Sequence, residues 1–275
     1  MEFQRTIKRE ITIEGVGLHT GKFSRITLIP SEENKGIIFI KNNCQIPALA
    51  DYVVDTKRNV SLGYNGIEIL TIEHLLSALY SLRITNLYVL VEGDEIPILD
   101  GSSFPWIEAI KNSGIEVQKA PIDYFSLDFP LVEKEGKGMI ILFPSNSFKI
   151  HCVLSFPGTP ILWQRYEFFD LDKYEKDIAP ARTFGFWYEL EELEKNGLIK
   201  GASLENAVLV GKEGYVNKER FEDEPVRHKI LDIIGDFCLL GRYLNAHIFA
   251  LSSGHTLHIK MVRRLKEFFR GSNKE

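Results

Sequence analysis

The sequence predicts a pair of related α+β domains that meet face to face. Its 275 residues approach the length at which a single hydrophobic core stops growing. Patterns typical of strands and of apolar helices follow one another in both halves. A weak repeat supports the pairing, because an apolar helix opens near residues 72–74 and another near 226–228, each followed by a strand, a Gly/Ser turn and a closing helix. A site between the domains would draw on one helix from each.

The first domain, residues 1–120, is predicted to combine an antiparallel sheet with two helices. Hydrophobic alternation predicts strands at residues 6–13, 25–29, 36–41 and 87–92. Leucines at helical spacing predict a helix over residues 72–82, and a proline in the first turn predicts another over 105–112. The segment 118–123 is expected to be the linker to the second domain.

The second domain, residues 124–270, is predicted to repeat this plan with an insertion at about 181–211. Strands are predicted at 125–133, 139–143, 148–156 and 246–251, and a closing helix at 256–269. Residues 183–210 predict a strand, a helix, a turn and a strand. From the pattern alone, the apolar residues of this insert are best explained by a small core; they are Leu190, Leu193, Leu198, Ile199 and Leu204.

The composition argues against nucleic acid and membrane as the main partners. The formal net charge of −5 gives no support to a nucleic-acid binder. No window is long enough to cross a bilayer and no signal-peptide pattern follows Met1, so we expect a cytoplasmic protein. The three cysteines are widely separated, which makes a disulfide framework or a thiolate zinc site improbable. A metal would therefore use histidine and carboxylate ligands.

The segment 224–236 is the most informative stretch of the chain. His228, Asp232 and Asp236 recur every four residues, so on a helix all three lie along one face. This spacing suits two ligands of one metal ion. A half-exposed helix with an incidental His–Asp pair is the competing interpretation, but these polar residues interrupt an otherwise apolar helix.

Glu73 and His74 stand at the start of the other predicted helix. A glutamate beside a histidine can serve as general base and ligand, as in zinc hydrolases. The residue four after His74 is an alanine, so this helix offers one ligand and the site must be completed elsewhere. The alternative is a glutamate that only stabilises the helix N-terminus. Combined with His228 and Asp232, His74 completes a set that leaves zinc an open position.

Two further histidines lie on glycine-flanked turns. His255 follows a Ser-Ser-Gly turn at a strand end, where it suits a general acid, a fourth ligand or a cap. His19 lies in a similar turn between two glycines. The patterns around the other histidines favour structural roles; these are His151, His247 and His258.

Six motifs follow in order along nearly the whole chain. They are GVGLHTG at 15–21, TIEH at 71–74, EIPILDGS at 95–102, ARTFGF at 181–186, EPVRHKILDIIGD at 224–236 and GH at 254–255. With these motifs the chain resembles the UDP-3-O-acyl-N-acetylglucosamine deacetylases of lipid A biosynthesis. The resemblance implies a β-α-α-β sandwich, in which two helical layers pack together between the sheets.

The resemblance also implies an activity and roles for individual residues. The expected reaction is zinc-dependent hydrolysis of the acetamide of UDP-3-O-(3-hydroxyacyl)-N-acetylglucosamine, which releases acetate in the committed step of lipid A and hence lipopolysaccharide biosynthesis. Zinc would be bound by His74, His228 and Asp232. The general base would be Glu73, and the general acid would be His255, oriented by Asp236. Thr183 would lie beside the developing oxyanion.

The substrate contacts are expected from both the pattern and the resemblance. Lys229 follows a proposed ligand and is a candidate for the substrate phosphate or for support of the charged state, and His19 is a second candidate for the substrate. The resemblance makes the insert a hydrophobic passage for the acyl chain. Its predicted lining is Phe184, Leu190, Leu193, Ile199 and Leu204. We expect a monomer that takes a small-molecule acylated UDP-amino-sugar.

Two other functions compete with this one on the sequence. A non-catalytic scaffold or sugar-nucleotide-binding module would have lost some of the polar site residues, and none of them is missing. A zinc hydrolase of the same architecture that acts on a different acylated amine remains open. A substrate panel that measures acetate release separates these possibilities.

Overall fold

The computed structural model describes residues 2–272, and its first half alternates short strands with two helices. The elements are β1 (Phe3–Ile7), β2 (Ile11–Val16), β3 (Phe23–Pro30), β4 (Ile37–Lys41), β5 (Cys44–Pro47), β6 (Val53–Asp55), β7 (Ser61–Tyr64), β8 (Ile67–Ile69), α1 (Glu73–Ser81), β9 (Leu87–Glu92), α2 (Phe104–Ser113) and β10 (Ile115–Pro121). A short 3-10 helix, Ala50–Tyr52, precedes β6.

The main sheet of this half has the strand order β2-β3-β9-β4-β5. Its neighbours run antiparallel except β4 and β9, which are parallel. In β9, Leu87, Val89 and Val91 are buried and alternate with more exposed residues, as expected of a strand with one face on the core. Two smaller sheets, β6-β7-β8 and β1-β10, complete the half.

The second half contains the remaining strands and the two longest helices. The elements are β11 (Tyr124–Ser126), β12 (Leu131–Glu135), β13 (Gly138–Pro144), β14 (Lys149–Ser155), β15 (Trp163–Phe168), α3 (Tyr174–Asp177), β16 (Phe184–Phe186), α4 (Leu190–Lys195), β17 (Val208–Val210), α5 (Glu224–Cys238), β18 (Tyr243–Leu251) and α6 (His255–Ser272). A second 3-10 helix, Leu171–Lys173, leads into α3.

The second large sheet repeats the topology of the first. Its order is β12-β13-β18-β14-β15, with β11 added beside the start of β18. In both sheets the last strand in sequence follows a helix and inserts at the centre, where it pairs in parallel with the third strand. The predicted α+β class is therefore confirmed. One parallel pair at the centre of each order makes the sheets mixed and not purely antiparallel.

Helices α1 and α5 pack against one another and join the two halves. All nine residues of α1 are buried, and in α5 only Arg227 and Lys229 are not. The contact is close at Gly235, where a Cβ would lie 2.2 Å from the carbonyl oxygen of Glu73. The hydroxyl of Ser77 also donates to the Leu231 carbonyl at 2.8 Å. This crossing brings the polar residues of the two helices together.

Four local expectations from the sequence were wrong in their boundaries. The strand expected at 6–13 is two strands, β1 and β2, because the charged stretch at 8–10 forms a bend between them. The strand expected at 125–133 is likewise split into β11 and β12. Most of the linker expected at 118–123 belongs to β10, which pairs with β1. His255 begins α6 instead of preceding it on the turn.

The insertion has the predicted strand-helix-strand form. Strands β16 and β17 pair in parallel, with α4 between them in sequence. The backbone N–H of Val208 donates to the carbonyl of Thr183, which fixes the start of β16 beside β17. Among the helices of residues 2–272, none has the length and apolar character needed to cross a membrane.

Candidate active site

The approach to α1 is a strained turn held by a buried carboxylate. Thr71 has a φ of 60°, which is unusual for a β-branched residue. Its hydroxyl donates to Glu95 Oε1 at 2.8 Å, and the backbone N–H groups of His19 and Thr20 donate to the same carboxylate. Glu95 therefore ties the 15–21 turn to the start of α1, and His19 and Glu73 reach one cavity.

Glu73 is a buried carboxylate in the first turn of α1. Burial raises its pKa to about 7. Its Oε2 accepts a hydrogen bond from the backbone N–H of Val60 at 3.0 Å, and its Oε1 lies 4.0 Å from His255 Nε2. A carboxyl group with a pKa near neutrality can accept and release a proton under ordinary conditions.

His74, His228 and Asp232 form a buried cluster across the two helices. One potential ligand atom from each residue lies within 4.8 Å of the others. The two imidazole rings meet edge to face with their centroids 5.0 Å apart. His228 Nδ1 donates to the carbonyl of Ala181 at 3.0 Å, which leaves Nε2 as the lone-pair nitrogen, 3.3 Å from Asp232 Oδ1.

The charge states of this cluster suit a divalent cation. Burial, together with the neighbouring His228, lowers the pKa of His74 to about 3, and burial also lowers the pKa of His228, so both rings are neutral. Burial alone would raise the pKa of Asp232, but Lys229 and the histidines outweigh it and hold the pKa below its usual range. Among the described residues, the buried His74 Nδ1 has no hydrogen-bond partner. Two neutral imidazoles and a carboxylate fit the donor set of catalytic zinc.

Lys229 does not point away from the cluster as helical rotation alone suggests. Its ammonium group turns back to Asp232 Oδ2 at 2.6 Å. Burial lowers the pKa of Lys229, but the Asp232 carboxylate more than offsets this and the net shift is upward. The spacing of three residues on a helix was the available signal for this contact, because it lets a long flexible side chain reach the carboxylate.

His255 also lines the cavity and is held by Asp236. His255 Nδ1 donates to Asp236 Oδ2 at 2.8 Å, and its Nε2 lies 3.9 Å from Asp232 Oδ2. Burial lowers the pKa of His255, but the carboxylate of Asp236 outweighs burial and raises the pKa to about 9. The ring is therefore protonated near neutral pH and can donate a proton from Nε2.

The same oxygen of Asp236 accepts a hydrogen bond from a second histidine, His258. The sequence pattern around His258 predicted a structural role. His258 Nδ1 donates to Asp236 Oδ2 at 2.7 Å. The spacing of three residues from His255 on a helix was the available signal, because it puts both rings on one face. His151 and His247 lie instead on neighbouring strands of the second sheet, away from this cluster.

One cavity of about 250 Å³ between the two halves is lined by Glu73, His74, His228, Lys229, Asp232 and His255. Thr183 is on its wall, where its backbone N–H donates to the Gly101 carbonyl at 2.8 Å. His19 lines it as well, is nearly fully buried, and has no partner for either ring nitrogen among the described residues. The apolar part of the wall consists of Leu18, Leu154, Phe156, Phe184 and Phe186.

The structure brings only one of the five predicted passage residues to this cavity. Phe184 lines it, with its ring edge-on to His228 at 6.3 Å between centroids. The other four lie on or beyond α4, outside the described lining; they are Leu190, Leu193, Ile199 and Leu204. Leucine spacing predicts that one face of a helix is buried, but it does not predict which residues that face contacts. Phe186 also lines the cavity but was not among the residues predicted to do so, although it lies two residues from Phe184 in the same strand.

A second cavity, of about 370 Å³, lies at the far ends of α1 and α5. Its wall includes Tyr80 and Cys238, and the ion pair between Arg242 and Asp123 lies at its edge. Of the two clusters of potential metal ligands within residues 2–272, neither is here. The cavity of about 250 Å³ is therefore the candidate active site, because the titratable groups and potential metal ligands are concentrated there.

The sequence of this chain is similar to those of known proteins along nearly its whole length. The sequence profile described as UDP-3-O-acyl N-acetylglycosamine deacetylase matches residues 4–267. A protein of that name from Syntrophotalea carbinolica is 40% identical over 272 residues, covering 96% of this chain and 88% of its own length. The Aquifex aeolicus relative is 39% identical, covering 96% and 93%, and the Chlamydia caviae relative is 41% identical, covering 96% and 97%.

Proposed function

The chain belongs to the UDP-3-O-acyl N-acetylglycosamine deacetylase family, and we propose that it hydrolyses the acetamide of UDP-3-O-(3-hydroxyacyl)-N-acetylglucosamine. The products are acetate and the free amine. In the pathway that the family name implies, this is the committed step of lipid A biosynthesis. The observation that carries the proposal is the convergence of Glu73, His255 and the His74–His228–Asp232 cluster on one cavity.

We propose zinc as the cofactor, bound by His74, His228 and Asp232. The neutral rings, the ionised carboxylate and the unpaired His74 nitrogen support this ligand set. When bound, the ion would supply Lewis-acid polarisation of the acetamide carbonyl and would make the attacking water more acidic. Lys229 holds the second oxygen of Asp232, which keeps the carboxylate ionised and oriented.

Glu73 is the proposed general base. It would take a proton from the water molecule whose oxygen forms the new bond to the carbonyl carbon. Its raised pKa makes it a stronger base than an exposed glutamate while leaving it partly ionised near neutral pH. The hydrogen bond from Val60 fixes one carboxylate oxygen and leaves Oε1 on the side of His255.

His255 is the proposed general acid. As the C–N bond breaks, the amine nitrogen must receive a proton, because an amide anion is a poor leaving group. The His255 ring carries that proton, since the carboxylate of Asp236 raises its pKa to about 9. Thr183 would donate its hydroxyl hydrogen to the oxyanion that develops on the carbonyl oxygen.

Three further features support binding of the rest of the substrate. The unpaired ring nitrogens of His19 offer hydrogen bonds to a polar group, because buried polar atoms seldom lack partners. Lys229 offers its remaining N–H groups to the diphosphate. The apolar wall of the cavity, which includes Phe156 and Phe186, would contact the start of the acyl chain. The predicted passage along Leu190, Leu193, Ile199 and Leu204 would then continue away from the cavity.

We also propose that the enzyme acts as a monomer in the cytoplasm, with a domain boundary between residues 120 and 124. The repeated sheet topology supports this boundary. Light scattering of the purified protein tests the oligomeric state, and cell fractionation tests the location.

The activity is tested by acetate release from the acylated UDP-sugar, with protein stripped of metal and then reloaded. We expect turnover that disappears on chelation and returns with about one equivalent of Zn²⁺; Fe²⁺ is tested in parallel. A panel of other N-acetylated amines is the control. Preferred turnover of a compound without the UDP group would show that the chain acts on a different acylated amine.

A further inference from the structure

A second buried histidine is attached to the carboxylate that orients His255. His258 lies in the first turn of α6 and is fully buried. Its Nδ1 is 2.7 Å from Asp236 Oδ2, while His255 Nδ1 is 2.8 Å from the same oxygen. The other oxygen of this carboxylate, Oδ1, has no partner among the described residues. The two imidazoles are therefore the hydrogen-bond donors that set the rotation of the Asp236 side chain.

The second nitrogen of His258 reaches the turn that precedes His255. His258 Nε2 lies 2.8 Å from Ser253 Oγ, and Ser253 is two residues before His255. An ionised carboxylate can only accept hydrogen bonds, so Nδ1 of His258 carries a hydrogen. Burial lowers the pKa of His258 and keeps its ring neutral, so Nε2 accepts from the Ser253 hydroxyl. The contacts define one tautomer and one ring orientation.

We propose that His258 is a positioning residue for the deacetylation reaction, because it fixes both Asp236 and the Ser253 turn and thereby sets the direction of His255. This inference rests on the proposed role of His255 as general acid. His255 Nε2 lies 4.0 Å from Glu73 Oε1 and 3.9 Å from Asp232 Oδ2, so it has to point between two other reactive groups. A misplacement of about 1 Å can lower a rate by roughly 10²-fold.

The test uses two replacements that separate hydrogen bonding from packing. His258→Leu removes both hydrogen bonds, whereas His258→Asn puts an N–H donor near the position of Nδ1. In the zinc-loaded enzyme we expect His258→Leu to lower kcat by roughly 10-fold or more, with KM and metal content close to wild type. His258→Asn is expected to recover most of kcat. His151→Leu, on β14 and outside the lining of the cavity, is the control and should leave kcat unchanged.

A double-mutant cycle distinguishes positioning from a general structural effect. If His258 acts through His255, adding His258→Leu to His255→Gln should cause little further loss of kcat. The inference would be overturned if the losses of kcat in the two single variants multiplied in the double variant. It would also be overturned if His258→Leu and His258→Asn lost kcat equally. If His258→Leu does not fold, Asn and Gln provide the comparison, because Gln places its donor toward Ser253 and not toward Asp236. Gln recovery that equals Asn recovery would also overturn it.

A spectroscopic measurement gives a readout that does not depend on activity. Nitrogen-15 spectra of the histidines in the zinc-loaded enzyme report which ring nitrogen carries the hydrogen. We expect neutral His258 with its hydrogen on Nδ1, and a hydrogen on Nε2 would contradict the inference. The proposed function is judged separately, by wild-type acetate release and its loss in His255→Gln. A fully active His255→Gln would refute both, whereas an impaired one with multiplying losses refutes only the role of His258.

Discussion

Helices α1 and α5 hold equivalent places in the two halves, yet they supply the site in different ways. Each precedes the strand that inserts at the centre of its sheet. In α1 the site residues are confined to the first turn, whereas α5 presents residues over two turns of one face. The placement of Glu73 and His74 thus depends on the segment before the helix, while that of His228 and Asp232 follows from helical geometry.

This difference explains how much outside support each helix needs. The start of α1 is held by the positive φ of Thr71, by its hydrogen bond to Glu95 and by the Val60 N–H on Glu73. His228 and Asp232 are neighbours through their spacing alone, and Lys229 and the Ala181 carbonyl refine their orientation. A repeated fold can therefore carry an asymmetric site when the residues on the two equivalent helices and the segments that support them differ.

The largest expected effect is loss of a proposed metal ligand from either helix. His74→Ala, His228→Ala and Asp232→Ala should each reduce bound zinc well below one equivalent, because three ligands fall to two. Activity should fall by more than the roughly 10- to 100-fold typical of changes to groups around the ligands. Metal analysis after dialysis and acetate release provide the measurement. A variant that keeps a full equivalent of zinc would remove that residue from the ligand set.

Glu73→Gln should separate the role of Glu73 from that of the adjacent proposed ligand, His74. Because a general base is not a ligand, zinc content should remain near one equivalent while kcat falls by roughly 10²-fold or more. The glutamine can keep the contact with the Val60 N–H, so stability should change little. Normal turnover in this variant would exclude Glu73 as the base.

The pH profile tests whether groups from both halves carry protons. Glu73 must be ionised, so kcat/KM should rise through its pKa of about 7, and a bound cation would move this limb to lower pH. His255 must be protonated, so kcat/KM should fall through its pKa of about 9. His255→Gln should lower kcat by roughly 10²-fold and flatten the alkaline limb.

Asp236→Asn complements His255→Gln, because it keeps the shape of the Asp236 side chain and removes the charge that stabilises protonated His255. Without that charge the protonated ring is less stable, so the alkaline limb should move to lower pH. An alkaline limb that is the same in both variants and in the wild type would exclude His255 as the acid. Lys229 would then be tested next.

The smallest expected effect concerns the crossing of the two helices. In Gly235→Ala the new Cβ would lie 2.2 Å from the Glu73 carbonyl oxygen, so the helices must move apart. We expect a loss of about 1–3 kcal/mol in the free energy of unfolding, typical of overpacking. Gly185→Ala is the control, because a Cβ there meets no atom within 4 Å. Thermal unfolding of both variants measures the difference, and equal stability would show that the crossing is not tight.

Much of the architecture could be predicted because the signals were local. The alternation in residues 87–92 and the leucine spacing in 72–82 correspond to β9 and α1 within a residue. The short strands β5, β6, β7, β8 and β15 were not predicted. The role of residues 118–121 was missed because pairing of β10 with β1 is a contact between segments more than 100 residues apart. Such pairing leaves little trace in a short window of sequence.

The sequence by itself determined the α+β class and the repeated plan, since spacing and ordered motifs are properties of the chain. It also identified the group of reactive side chains that meets at the cavity: Glu73, His74, His228, Asp232 and His255. Only the tertiary structure decided how those residues are supported. The return of Lys229 to Asp232, the shared oxygen of Asp236 and the apolar wall at Phe156 all join segments distant in sequence or depend on flexible side chains. The pKa values of Glu73 and His255 also depend on the tertiary structure, because burial and neighbouring charges set them.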